Sequence, residues 1–230
     1  MSRFLLLFFL TAAPLLEAGG KPICQLPPAE SYLKVIPPPP AAKSFTDKSD
    51  LGAEEGLQAA AEKQASQEAI KHATRTAPLS VFLFSEVRGK DFTPKTYPKT
   101  AAFFDDLQNA AGGVVAFLKD HYHRERPYKA HPHQVKALIP IATGYSFPSG
   151  HATVSWLDAL ILGELDRAHR EDYLGSAFQI SIDRSVGGMH YPSDTAAGRT
   201  LAQAIFADLM AKPQFRAALE EMRKAEYGTR

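Results

Sequence analysis

The stretch FPSGHATVSWLDALIL, residues 147–162, decides the fold of this 230-residue chain. Pro148 restricts the approach, Ser149 is a helix-capping residue type, and Gly150 lets the backbone come close to a ligand. Beyond His151, the apolar residues Val154, Leu157, Ile161 and Leu162 recur at three- and four-residue steps, the period of a helix. A Ser-Gly turn therefore opens a helix whose free N–H groups point at the turn, a place that suits an anion. His151 sets a proton carrier beside that place.

Working outward, the neighbouring segments are also helical. Asp50 to Thr76 is rich in Ala, Glu and Lys and free of proline, and Pro78 closes it. Spacing predicts one helix over Lys99 to Ala111, a break at Gly112-Gly113, and a second helix from Val114 toward Arg124 that Pro127 ends. Residues 128–147, with His131-Pro132-His133, suggest a long loop. A helix is expected over Glu171 to Val186, then a Gly187-Gly188 break, then a helix capped by Ser193 or Asp194 and reaching Leu209. Pro213 starts a last amphipathic helix with Phe215, Leu219 and Met222. No run of alternating strands and no internal repeat is present, so the expected fold is all-α, a single-domain helical bundle.

Upstream, Arg3 precedes the apolar run Phe4 to Leu10, which continues weakly through Ala12, Ala13 and Leu15 to Leu16, and small residues follow at Ala18, Gly19 and Gly20. This pattern predicts a signal peptide over residues 1–20 and a periplasmic or secreted protein. The run is about half the roughly 20 residues of a spanning helix, so stable membrane insertion is not expected. Residues 21–48 form a proline-rich arm, extended over the surface, ahead of a helical domain over 49–230. Cys24 is the sole cysteine, which excludes an internal disulfide. Lys and Arg number 26 against 25 Asp and Glu, and this balance excludes the basic field that nucleic acid needs.

Two further segments flank the Ser-Gly turn with complementary chemistry. Lys119-x6-Arg126-Pro127 precedes it, and Arg184-x5-His190-x3-Asp194 follows. Lys119 and Arg126 are seven apart, close to two helical turns, and so can share a face. Alone, Arg124-Glu125-Arg126 would be a solvated charged face. Asp194 can hold one imidazole nitrogen of His190 and leave the other free as a nucleophile. Together the three segments supply three fixed cations, two histidines, a carboxylate and backbone donors, the inventory of a phosphoryl-transfer site that needs no metal. His121, His123, His131 and His133 lack the spacing of a metal site.

The three blocks in this order resemble the type 2 phosphatidic acid phosphatase superfamily, which includes bacterial class A non-specific acid phosphatases and vanadium haloperoxidases. In that family the pattern runs Lys-x6-Arg-Pro, Pro-Ser-Gly-His and Ser-Arg-x5-His-x3-Asp. This chain matches over residues 119–194, with Asp183 where the family has Ser. The proline-rich arm, the export signal and the apolar-Phe-Ser-Glu segment at 81–86 also resemble the class A enzymes.

The resemblance implies a small-molecule phosphoester substrate and no cofactor. His190 would be the nucleophile, Asp194 its orienting partner and His151 the proton donor. Lys119, Arg126, Ser149, Gly150 and Arg184 would bind the phosphate. Asp183 is expected to support Arg184 rather than face the substrate. Self-association comes with the resemblance, since related acid phosphatases form oligomers. Lipid phosphate or pyrophosphate hydrolysis, vanadate-dependent peroxidation and anion binding without turnover remain the other readings of the same residues.

Overall fold

The structure is a computed structural model that describes residues 23–61 and 67–228; the expected signal peptide lies outside the described residues. Its helices are α1 (Phe45–Ala61), α2 (Gln67–Arg75), α3 (Ser85–Arg88), α4 (Pro98–Tyr122), α5 (Pro127–Ala130), α6 (Gly150–Leu165), α7 (Arg170–Val186), α8 (Pro192–Met210) and α9 (Pro213–Glu226). No strand occurs among the described residues, and the fold is all-α as expected.

α6 is the central element because it is apolar nearly all round. Leu157, Ile161 and Leu162 are fully buried, and even Thr153, Ser155 and Asp158 face protein. α7 and α8 pack along it, with α4 and α9 on its other sides. Phe103, Phe104, Leu107 and Leu118 of α4 and Phe215 and Leu219 of α9 complete the core. Trp156 packs against its edge. α9 also caps α4: the Glu226 carboxylate accepts from the N–H groups of Lys99 (2.7 Å) and Thr100 (2.9 Å), two donors that a helix start leaves free.

Three expectations are corrected. α4 runs unbroken through Gly112-Gly113. Ala111, Val114 and Val115 are buried on either side, and their packing outweighs the cost of about 1 kcal/mol per interior glycine. α4 then stops at Tyr122, before Pro127, because His123 turns left-handed (φ 52°) with its N–H on the Lys119 carbonyl. Lastly, the arm is not confined to the surface. A 3-10 turn at Ala29–Lys34 buries Tyr32, whose hydroxyl donates to Asp208 at 2.7 Å, and Cys24 and Ile36 join the same core. Burial pushes the Cys24 thiol well above its usual range.

Candidate active site

The three motifs converge where the start of α6 meets the start of α8. Ser149 caps α6, its Oγ accepting from the Ala152 N–H at 3.3 Å. Its own N–H donates to the backbone carbonyl of Asp194 at 3.0 Å, which ties the second motif to the third. Gly198 makes this approach feasible: a Cβ there would sit 2.7 Å from the Ser149 carbonyl oxygen and 3.0 Å from the Ala152 Cβ. Gly150 also has a close neighbour, since a Cβ there would lie 3.4 Å from Val115 Cγ1.

His190 lies between α7 and α8 and is almost fully buried. The chain reaches it through Gly188, which adopts φ +76° where a Cβ would lie 2.1 Å from the Lys136 carbonyl oxygen; only glycine fits there. The Ser185 hydroxyl donates to the His190 carbonyl at 2.8 Å. The Arg126 guanidinium lies 3.1 Å from Nε2 of His190. Nδ1 faces Oδ2 of Asp194 at 3.4 Å, close enough for charge attraction but not aligned as a hydrogen bond.

Asp194 is not the residue that caps α8. Tyr191 holds the cap position, and Asp194, three residues on, reaches back so that Oδ2 accepts the Tyr191 N–H at 3.0 Å. Its other oxygen accepts from Arg124 at 2.7 Å. Burial raises the Asp194 pKa, while Arg124 and the Tyr191 N–H pull it down.

Lys119 and Arg126 meet the same site by a route other than a shared helix face. Lys119 projects from the last turns of α4, whereas Arg126 follows the left-handed stop and an extended step into α5. Backbone carbonyls hold both. Lys119 donates to Tyr145 (2.5 Å) and Ser146 (3.1 Å), and Arg126 to Thr143 (2.9 Å), Gly144 (3.1 Å) and Met189 (3.0 Å). Burial lowers the pKa of each, and the charge of Arg126 lowers that of Lys119 further.

Arg184, also buried, donates to the Ala73 carbonyl and to Thr76 Oγ1, both at 2.6 Å. Burial lowers its pKa to about 10. His151 donates from Nε2 to the Ala77 carbonyl at 2.8 Å, because a carbonyl can only accept, and this leaves Nδ1 as its other working nitrogen. Burial, then the charge of Arg184, pushes His151 down to about 3. His190 is lowered well below 6.5 by burial and by the charges of Lys119, Arg126, His151 and Arg184. The structure thus gathers all three cations and both histidines around one point.

The sequence alone puts Arg124 on a solvated face, yet its side chain is 9% exposed. It bonds Ser193 Oγ (2.7 Å), Asp194 (2.7 Å), Asp50 (3.0 Å) and Asp47 (3.3 Å), and its guanidinium lies 3.9 Å from the Tyr191 ring centroid. Asp50 of α1 also accepts the N–H and hydroxyl of Ser193. The helix bearing Asp50 begins at Phe45, inside the segment expected to be arm. Sequence reasoning missed Arg124, Asp50 and Thr76 as partners of the site. The only signal for Arg124 was its alternation with Arg126 in a segment that proline keeps extended. Three of the other histidines meet aromatic rings: His121 stacks near Phe117, His123 meets Tyr145 edge-on, and His131 meets Tyr191.

Residues 109–217, which span all three motifs, match the family model of the PAP2 superfamily. The chain is 27% identical to a non-specific acid phosphatase of Providencia stuartii over 82% of its own length and 78% of that protein. It is 29% identical to a non-specific acid phosphatase of Salmonella typhi, over 67% of its length and 65% of that protein. Over 53% of its length it is 33% identical to an acid phosphatase of Zymomonas mobilis, covering 44% of that protein. The motifs meeting at one buried histidine and the family match over the same residues lead to one conclusion: residues 109–217 form a domain of the PAP2 superfamily type, in a chain similar to bacterial acid phosphatases.

Proposed function

We propose that this chain is an exported, metal-independent acid phosphatase that hydrolyses phosphomonoesters through a phosphohistidine on His190. The observation that carries the reading is the buried His190 imidazole, with the Arg126 guanidinium 3.1 Å from Nε2 and the Asp194 carboxylate 3.4 Å from Nδ1. Burial and the charges of Lys119, Arg126, His151 and Arg184 lower its pKa. Capture of an anion needs the cations alone; a nucleophile, an orienting carboxylate and a second histidine suit bond cleavage.

In the proposed reaction Nε2 of His190 attacks phosphorus, forming the N–P bond as the P–O ester bond breaks. Nδ1 of His151 gives its proton to the departing alkoxide. A water molecule then attacks phosphorus, passing a proton to His151 as the N–P bond breaks and phosphate leaves. Lys119, Arg126 and Arg184, with the Ser149 hydroxyl and the N–H groups at Gly150, hold the equatorial oxygens as charge shifts. Three fixed cations supply the charge that a metal provides in other phosphoryl-transfer sites.

Hydrolysis of para-nitrophenyl phosphate from pH 4 to 9 with EDTA present, beside a His190→Ala control, tests the reading. Turnover that survives EDTA and vanishes in the variant supports it, and acid quench of a working enzyme should trap phosphate on nitrogen. Orthophosphate binding with no turnover of any phosphoester would favour a binding protein. Bromide oxidation with vanadate and peroxide, in place of ester hydrolysis, would favour a peroxidase. Recovery of a chain shortened by about 20 residues from the periplasm tests export.

A further inference from the structure

We propose that Asp183, acting through Thr76, is a positioning residue that locks Arg184 into the phosphate site, with His72 closing the network. The proposal rests on the reading of this site as one that binds a phosphoryl group.

A guanidinium only donates, so Thr76 Oγ1 must accept the 2.6 Å bond from Arg184. Its single proton then has three candidate acceptors: the His72 carbonyl at 3.1 Å, the Ala73 carbonyl at 3.3 Å and Asp183 Oδ2 at 2.7 Å. The carboxylate is both the shortest and the only charged one, and takes the proton. Oδ2 of Asp183 also accepts from His72 Nδ1 at 2.7 Å, and Oδ1 accepts from Gln179 at 3.2 Å.

Asp183, though next to Arg184 in sequence, therefore faces away from it and grips the end of α2. Successive helical residues point about 100° apart, so Arg184 on the other side of α7 is free to meet the site. The grip presents Thr76 and the Ala73 carbonyl to one edge of the Arg184 fork, while Nε makes no hydrogen bond among the described residues. One edge is anchored, and the guanidinium charge acts on both His151 and His190. A serine at 183, as in the family pattern, has too short a side chain to bond Thr76 and His72 at once. In this chain the aspartate makes α2 part of the phosphate site.

Orthophosphate affinity, measured by calorimetry on the full chain, tests the proposal. Asp183→Asn and Thr76→Val should each weaken binding by about tenfold, and Thr76→Ser, which keeps the hydroxyl, should restore it to within about twofold. In an Arg184→Lys background, Asp183→Asn should cause no further loss, because the residue it positions is already gone. An unchanged Kd in Asp183→Asn, or an equal loss with and without Arg184, would overturn the proposal. Should Asp183→Asn fail to fold, the Thr76→Val and Thr76→Ser pair decides by the same criterion. Wild-type turnover of para-nitrophenyl phosphate is measured alongside. Phosphate binding without turnover sinks the phosphatase reading and leaves this inference standing, whereas a wild-type chain that binds no phosphate overturns both.

Discussion

Arg126 donates to Nε2 of His190 across 3.1 Å, and this one contact fixes the histidine's tautomer. A guanidinium has no lone pair to offer, so the ring's lone pair is on Nε2 and its proton on Nδ1, facing Asp194. The nitrogen left nucleophilic is the one turned toward the cations. Arg126→Lys keeps the charge but loses the fork that holds Nε2 and three carbonyls. We expect kcat/KM to fall by roughly 10²-fold or more with little change in far-UV dichroism, judged by steady-state kinetics on para-nitrophenyl phosphate. Near wild-type kinetics in Arg126→Lys would show that the fork geometry is irrelevant.

Arg124 bonds the Asp194 carboxylate and is itself held by Asp50 and Asp47 of α1. Removing it strands a buried carboxylate, a loss of about 3–5 kcal/mol for a broken buried pair. Arg124→Gln should lower Tm and also depress kcat more than it raises KM, because in the proposed mechanism Asp194 orients the nucleophile and lies away from the ester. Thermal melts and kinetics on the same preparation separate the two effects. A variant with lower Tm but unchanged kcat would confine Arg124 to a structural role.

Both histidines are held below their usual pKa, and this has opposite consequences for activity and stability. His190 stays neutral, and thus nucleophilic, well into the acid range. His151 must carry a proton to act as the acid, and a bound phosphate dianion favours that proton against the field of Arg184 and its neighbours. The rate should peak below pH 6.5, and a profile still rising at pH 9 would refute the roles given to the pair. For stability, the unfolded chain takes up protons near pH 6.5 and the folded chain only much lower, near 3 for His151. Their contribution is complete above 6.5 and declines as pH falls, by up to about 1.4 kcal/mol per unit for each group. The ligand-free Tm should drop from pH 6.5 to 4, and added orthophosphate should reduce the drop.

Glu54 of α1 behaves in the reverse sense. It is fully buried, and burial, then the charges of Asp194 and Asp50, raises its pKa to about 10. The folded chain keeps this proton where the unfolded chain loses it near 4.5, so its contribution is full below 4.5 and wanes as pH rises toward 10. Glu54→Gln mimics the neutral form. It should raise Tm over wild type at pH 8 and leave it unchanged at pH 4. A variant less stable than wild type at pH 8 would show that the ionised form is the one the fold accommodates.

The sequence made the helices and the three motifs that the structure brings together legible for the same reason: both depend on short spacings. Apolar residues at three- and four-residue steps locate α6 and α9, and the motif residues lie within eleven positions of one another in each block. The misreadings arose where long-range packing decides. Gly112-Gly113 looks like a break until Ala111, Val114 and Val115 are seen buried around it. Tyr32 looks like part of a surface arm until Asp208, far along the chain, accepts its hydroxyl. The partners that steady the site are of this second kind. Asp50, Thr76 and His72 come from segments more than a hundred residues upstream of His190, and polar pairs across such distances leave no periodic trace.

The hydrogen bond from the Ser149 N–H to the Asp194 carbonyl has a consequence for how such a chain can change over time. It fastens two distant stretches of polypeptide by their backbones, whatever their side chains become. The turn from α6 to α7 at residues 166–169, which carries none of the site residues, is then released from keeping length or composition, so long as α6 and α8 still cross where Gly198 allows. Natural variation and engineered insertions should accumulate in that turn, while the crossing itself acts as the fixed hinge-pin around which new substrate preferences are tried.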